Sequence, residues 1–190
     1  DAIVKEVPLE PGERVPEEID ILFVTAHQKL SDWARFAIDQ FLMRGGRLVL
    51  SMDRFMWKWI DTGLEPLLER WGASSKRQLV LDLDDAWDVT VYRGVYAGSG
   101  YQAQQVKLPY PRIFFTQQEN HSRSHPFVAS LDGLIFYDAT AFSPASKVPE
   151  GVRFESLVKS SRRSWIEDSA RLSTFQLRPD RIRTPRTFDG

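Results

Sequence analysis

DILFVTAHQKLSDWARFAIDQFLMRGGRLVLSMD, Asp20–Asp53, decides the fold class. Two apolar, β-branched runs, residues 19–25 and 47–52, flank a stretch of different period. Such runs suit parallel strands buried on both faces. Between them Ala34, Ala37, Ile38, Phe41 and Leu42 recur at i, i+3, i+4, i+7 and i+8, which is one apolar helix face. Ser31 is placed to cap that helix, and Asp32 lies in its first turn, where the helix dipole favours an anion. Gly45 stands where a helix end needs a left-handed residue. The stretch therefore reads as a strand–helix–strand crossover. It predicts an α/β domain of three layers with a mainly parallel central sheet and a more irregular C-terminal part.

The rest of the chain gives shorter elements. Residues 3–9 read as a strand, and the chain thus starts within an element, as an excised part of a longer protein would. Residues 62–71 read as a helix, with Thr62 and Glu65 at capping-box spacing and Gly72 as the stop. Residues 78–83 read as a strand, and Trp87, Val89 and Val91 alternate like an exposed one. The Gly- and Tyr-rich stretch 94–101 reads as loop, and Pro109 and Pro111 as the ends of a link. Residues 113–116, 134–140 and 152–159 read as further strands. The sheet domain is expected to occupy residues 1–160, with a peripheral basic tail at 161–190.

Composition narrows the function classes. The 190 residues are 42% hydrophobic, enough for a packed core. Twenty-five basic against 26 acidic residues leave a net charge of −1, which gives nucleic acid no bulk electrostatic footing. No run of about 18 apolar residues is present to span a membrane. With no cysteine, disulfides and thiolate chemistry are excluded.

Ligands of open α/β sheets bind beyond the carboxyl ends of the strands. That rule points to Thr25 and His27 after the first strand, and to Ser51 and Asp53 after the second. His27 and Asp53 are two members of an acid–base arrangement, but no nucleophile elbow accompanies them. A surface histidine and a strand-end aspartate that caps the next segment is the favoured reading of the pair. Phe55, Trp57 and Trp59 alternate and share a face in a strand. They either fill the core, the default for large aromatics, or form a binding patch for protein or sugar. His121 and His125 have the spacing of a helical metal pair, but Pro126 and the polar surroundings favour a loop, and no metal or cofactor is expected. Gly45-Gly46 follows a helix and precedes a strand, the reverse of a phosphate cradle.

The ordered motifs resemble one family. Val15–Asp53 (VPEEIDILFVTAHQKLSDWARFAIDQFLMRGGRLVLSMD), GLEPLLERWG at 63–72, QLVLD at 78–82, Ser124-His125-Pro126-Phe127, Ser160-Ser161 and Ser164-Trp165 are similar, in order, to the GldG-type auxiliary component of ABC transporters. The resemblance implies a flavodoxin-like or class I glutamine-amidotransferase-like sheet without that class's cysteine. It also implies similarity to an intraflagellar-transport subunit domain with an assembly role. It implies an extracytoplasmic, periplasmic domain of a bacterial protein anchored in the membrane elsewhere in its length. Gliding motility is one context of that family. The expected partners are an ABC permease, another membrane-complex protein or a glycan. The expected function is non-enzymatic recognition or assembly at Thr25, His27, Ser51, Asp53, Phe55, Trp57 and Trp59. A hydrolase or amidotransferase-like enzyme using His27 and Asp53 is the alternative.

Overall fold

The computed structural model describes residues 3–52, 55–56, 58–98 and 100–168. Its chain divides into two compact units: Asp1–Ser75 with Ser143–Arg153, and Lys76–Phe142 with Phe154–Gly190.

The first unit is built on the strand–helix–strand crossover. Strand β1 (Ile21–Ala26) pairs in parallel with β2 (Arg47–Met52), and α1 (Asp32–Met43) connects them. Ser31 Oγ accepts the Ala34 amide at 3.0 Å, the cap its position promises. The helix ends because Gly45 adopts φ +90°. Gly45 N–H then donates to Leu42 O and Gly46 N–H to Phe41 O, the two bonds of a Schellman end. Gly46 is fixed by packing as well: a Cβ there would meet the Phe41 ring at 2.4 Å.

The helix face read from the sequence is the buried one. Ile38 and Phe41 pack with Val15 and Leu22, and Leu9, Ile19, Val24, Leu30, Leu48 and Trp71 close around them. A second helix, α2 (Glu65–Arg70), contributes Leu67 to a cluster with Ala26 and Leu64. Its first turn is not held by the expected capping box. Thr62 is fully buried and its Oγ1 accepts the Leu64 amide at 3.4 Å, while Leu64 takes the cap position without a side-chain bond. Between β2 and α2, the short strands β3 (Phe55–Met56) and β4 (Lys58–Trp59) form an antiparallel pair. After α2, β5 (Ala73–Ser75) ends this half of the unit.

In the second unit β6 (Gln78–Asp82) leads into a long hairpin, β7 (Ala86–Ala97) and β8 (Gly100–Gln117), followed by β9 (Gly133–Tyr137). The sheet order is β7-β8-β9, and both pairings are antiparallel. The chain then returns to the first unit at Ser143, where β10 (Phe142–Pro144) bonds to β5; back in the second unit, β11 (Ser164–Asp168) lies antiparallel on β6. Leu79 and Leu81 of β6 and Phe114 of β8 are buried, with Val128 from the turn after His125.

The expected three-layer, mainly parallel, flavodoxin-like or amidotransferase-like sheet does not form. Among the described residues β1–β2 is a parallel pair, whereas β3–β4, β6–β11, β7–β8 and β8–β9 are antiparallel. The physical reason is that both α-helices described lie in the first unit. Parallel strands need helical crossovers, and the second unit connects its strands by turns instead. Among the described residues, one face of the first sheet is packed under α1 and the other is not covered by a helix. Phe23 remains 68% exposed and Ile21 49%, where a parallel strand covered on both sides would bury them.

Shorter expectations are corrected for local reasons. Residues 94–101 are not a loop: Tyr96 pairs with Tyr101 and Ala97 with Gly100, so the glycines mark a tight hairpin connection. Pro109 and Pro111 lie inside β8. Pro109 sits opposite Asp88, and the register jumps between Ala86, opposite Phe114, and Trp87, opposite Tyr110. Pro111, Arg112 and Ile113 thus have no partner on β7, a bulge that tolerates a residue without an N–H. Residues 3–9 form no strand, and 152–159 make only an isolated bridge between Val158 and His121. Of the tail read at 161–190, residues 164–168 form β11, and 169–190 lie outside the described residues.

Candidate functional site

The parallel register brings the two strand ends together. Thr25 lies directly opposite Ser51, and both are exposed. His27 follows two residues later in an exposed bend, with no hydrogen bond to another described residue. Thr25 also belongs to the outward face of β1 that carries Ile21 and Phe23. Asp53 and Trp57 lie outside the described residues, and the side chains of Phe55 and Trp59 do as well. Neither a His27–Asp53 contact nor an aromatic face can therefore be placed. Among the described residues, this edge offers two hydroxyls and one imidazole, beside the exposed Ile21 and Phe23.

The first unit also holds a cleft of about 390 Å³ at the opposite ends of the strands. Ile19 and Phe41 supply its apolar wall, and Glu17, Asp20, Arg44 and Arg47 its charges. Arg44 is already engaged, donating to Val15 O at 2.8 Å. The cleft thus sets opposed charges around an apolar wall.

In the second unit the polar side chains that the family resemblance rests on converge. Asp82, at the end of QLVLD, is fully buried. Its carboxylate accepts the Ser161 amide and the Ser161 hydroxyl at 2.6 Å each, and the Asp85 amide at 3.3 Å. Ser164 donates to Ser161 O at 2.8 Å. The pairing of β6 with β11 sets Trp165 opposite Leu81. These serines hold a buried carboxylate and a strand end: the Ser161 hydroxyl is spent on Asp82, and that of Ser164 on the Ser161 carbonyl. Burial raises the Asp85 carboxyl above its ordinary value, and the Asp82 charge adds to the effect.

The β8 bulge creates a second buried polar cluster, which the sequence reading passed over. Arg112, Asp138 and Tyr110 are all buried. Arg112 forms an ion pair with Asp138 and donates to the Tyr110 hydroxyl at 2.7 Å. Its guanidinium lies 5.7 Å from the Tyr110 ring centre and 5.9 Å from that of Tyr137. Asp138 has φ +52°, a left-handed conformation that aspartate accepts more readily than most residues. Its amide donates to Arg112 O at 3.0 Å, so backbone and side chain tie the same two residues. Burial raises the Asp138 carboxyl, and Arg112 opposes it. The only sequence signal was Arg112 directly after Pro111, a charge inside an apolar run.

His121 and His125 do not act together. His121 is buried with Nε2 2.9 Å from Thr116 Oγ1, while His125 Nδ1 accepts the Phe127 amide at 3.3 Å. Among the described residues no group of three or more His, Cys, Asp or Glu is placed to hold a metal ion.

A family model described as "ABC-type uncharacterized transport system" matches residues 2–190. The chain belongs to this family. Its members are auxiliary components of ABC-type transport systems, in agreement with the resemblance drawn from the ordered motifs. No curated protein and no solved structure matches the chain. Among the described residues of this transport-system component, no helix is long and apolar enough to cross a membrane. The motifs that carry the family resemblance now have structural work assigned. Ala34–Phe41 build the first core, Gly45-Gly46 end a helix, and Asp82 with Ser161 locks β6 to the segment before β11.

Proposed function

We propose that this chain is a non-enzymatic, extracytoplasmic recognition or assembly module, GldG-like, of its ABC-type transport system. The reading rests on one observation above the others: among the described residues, the outward face of β1 leaves Ile21 and Phe23 exposed, beside Arg47, Thr25 and Ser51. Ile21 and Phe23 stand exposed on a parallel pair whose other face is packed under α1. Parallel strands rarely leave such a face to water, and exposed apolar surface of this kind marks an interaction site. Thr25 and Ser51 continue the face to the strand ends, with His27 at the rim. The partner that fits is a protein of the membrane complex, the permease first. Asp53, Phe55, Trp57 and Trp59 follow β2 directly in the sequence and are included in the proposed surface on that ground alone. The arrangement around His27 favours binding over catalysis, because Thr25 and Ser51 pair through the strand register and no third group among the described residues activates either.

The test is co-purification. The full-length membrane protein, extracted in mild detergent, is expected to carry an ABC permease with it. Recovery free of any transporter subunit, from cells that express the permease, contradicts the proposal.

A further inference from the structure

The cleft at the amino-terminal ends of β1 and β2 sorts its charges by wall. One wall is residues 16–20, the turn before β1, and carries Glu17 and Asp20. The other is residues 44–47, the link from α1 into β2, and carries Arg44 and Arg47. Every residue that lines the cleft lies in the described part of the first unit. Hydrogen bonds tie the two walls together. Arg47 N–H donates to Asp20 O at 3.3 Å, and the Arg44 guanidinium to Val15 O at 2.8 Å. The acidic wall is closed on itself by Ile19 N–H, which donates to Pro16 O at 3.3 Å.

The opposed charges do not neutralise each other across the cleft. Among the described residues, no ion pair joins Glu17 or Asp20 to Arg44 or Arg47. The basic wall is bare between its two arginines, because Gly45 and Gly46 carry no side chain. A Cβ at Gly45 would meet nothing within 4 Å, so the space beside that backbone is empty. Ile19 and Phe41 add apolar surface to the same lining.

We propose that this cleft binds a free α-amino acid with an apolar side chain, in its zwitterionic form. Charge complementarity selects the class. A lone anion is drawn to the arginine wall and repelled by the carboxylate wall, and a lone cation meets the reverse. A zwitterion answers both walls at once, its carboxylate towards Arg47 and Arg44 and its ammonium towards Glu17 and Asp20. The planar fork of arginine matches a carboxylate, and Arg47 is the freer of the two because Arg44 also holds Val15 O. The apolar side chain of the ligand goes to Ile19 and Phe41, out of water. The volume of about 390 Å³ suits a small ligand, within the range of about 300–1,000 Å³ usual for such pockets. All four charged side chains are exposed, and exposed ion pairs are individually weak, so a Kd on the order of 1 mM is expected. The site lies at the strand ends opposite Thr25 and Ser51, and the proposal does not rest on permease docking.

The test is a nuclear magnetic resonance titration of the full chain with L-leucine and with L-phenylalanine. Both are expected to shift the backbone amides of residues 17–20 and 44–47 saturably. N-acetyl-L-leucine lacks the ammonium and L-leucinamide lacks the carboxylate. Each should bind at least about fivefold more weakly than L-leucine, the effect of losing one exposed charge pair. The double variant Asp20→Asn/Arg47→Gln removes one exposed charge from each wall. It should weaken L-leucine by at least about fivefold, with an unchanged circular dichroism spectrum as the folding control. The absence of saturable shifts at these residues with both amino acids overturns the proposal. So does binding of either blocked form as tight as that of L-leucine, which would mark an apolar groove indifferent to the charges. Both of these outcomes are read on the unmodified chain, and neither depends on whether a permease is recovered with it.

Discussion

The β1–α1–β2 crossover and the β7–β8 hairpin handle exposed surface in opposite ways. In the crossover one sheet face is covered by a capped helix, and the apolar residues left over, Ile21 and Phe23, point outward on the same strand that buries Leu22 and Ala26. In the hairpin the root is held by buried polar groups at the β8 bulge, and the outer half is exposed on both faces, with Tyr92, Tyr96 and Tyr101 in solvent. Hydrophobic burial thus dominates the first region. The second is pinned by Arg112, Asp138 and Asp82, whose charges or hydrogen bonds must stay matched.

That difference predicts how each region fails. The largest effect belongs to the hairpin root. Asp138→Ala strands the Arg112 charge in a buried site and should cost about 3–5 kcal/mol in urea denaturation. A loss near that of an exposed ion pair would mean the pair is solvated, and the contrast between the regions would vanish. In the crossover the corresponding test removes volume. Ile38→Ala should cost about 2–5 kcal/mol, through lost transfer energy and the cavity left behind. Phe23→Ala, on the outer face of the neighbouring strand, should change stability by no more than about 0.5 kcal/mol. Equal losses at Ile38 and Phe23 would show that the outward face is covered in the folded monomer. Ser31→Ala removes the acceptor of the Ala34 amide and should cost about 1 kcal/mol.

The smallest effect is a pH-dependent one. Burial and the Asp82 charge hold the folded Asp85 carboxyl above its ordinary value of 3.8. A raised carboxyl means the ionised group disfavours the native state at neutral pH, and the penalty disappears as the group protonates. Asp85→Asn should therefore raise stability at pH 7, with the gain fading as the pH falls through the raised value towards 3.8. A gain that grows on acidification would reverse the assignment.

The crossover was legible in the sequence because every signal there is local. Helical spacing, Ser31, Asp32 and Gly45-Gly46 all act within a few residues, and the structure uses each of them. What the sequence could not show was the number of layers, since a strand like Ile21–Ala26 reads the same with one face covered or two. The hairpin was illegible for a related reason. Gly94, Gly98 and Gly100 look like loop when taken singly, and become a ribbon only through pairing with residues up to a dozen or more positions away. Pro109 and Pro111 read as breaks until a bulge is known to absorb the register shift. At the candidate site, the strand-end rule pointed to Thr25 and Ser51 beyond the strands, whereas the structure sets them opposite each other within the last two positions of β1 and β2. The Arg112–Asp138 pair spans 26 residues and carries no spacing motif, so only the fold could bring it together.

The central claim is that the transport-system module works by docking through the open face of β1 and β2. The most direct measurement compares permease recovery in mild detergent for the unmodified full-length protein, Phe23→Asp and His27→Ala. The account predicts that Phe23→Asp abolishes recovery while the domain stays folded, and that His27→Ala, at the rim, weakens it at most several-fold. Undiminished recovery with Phe23→Asp would contradict it.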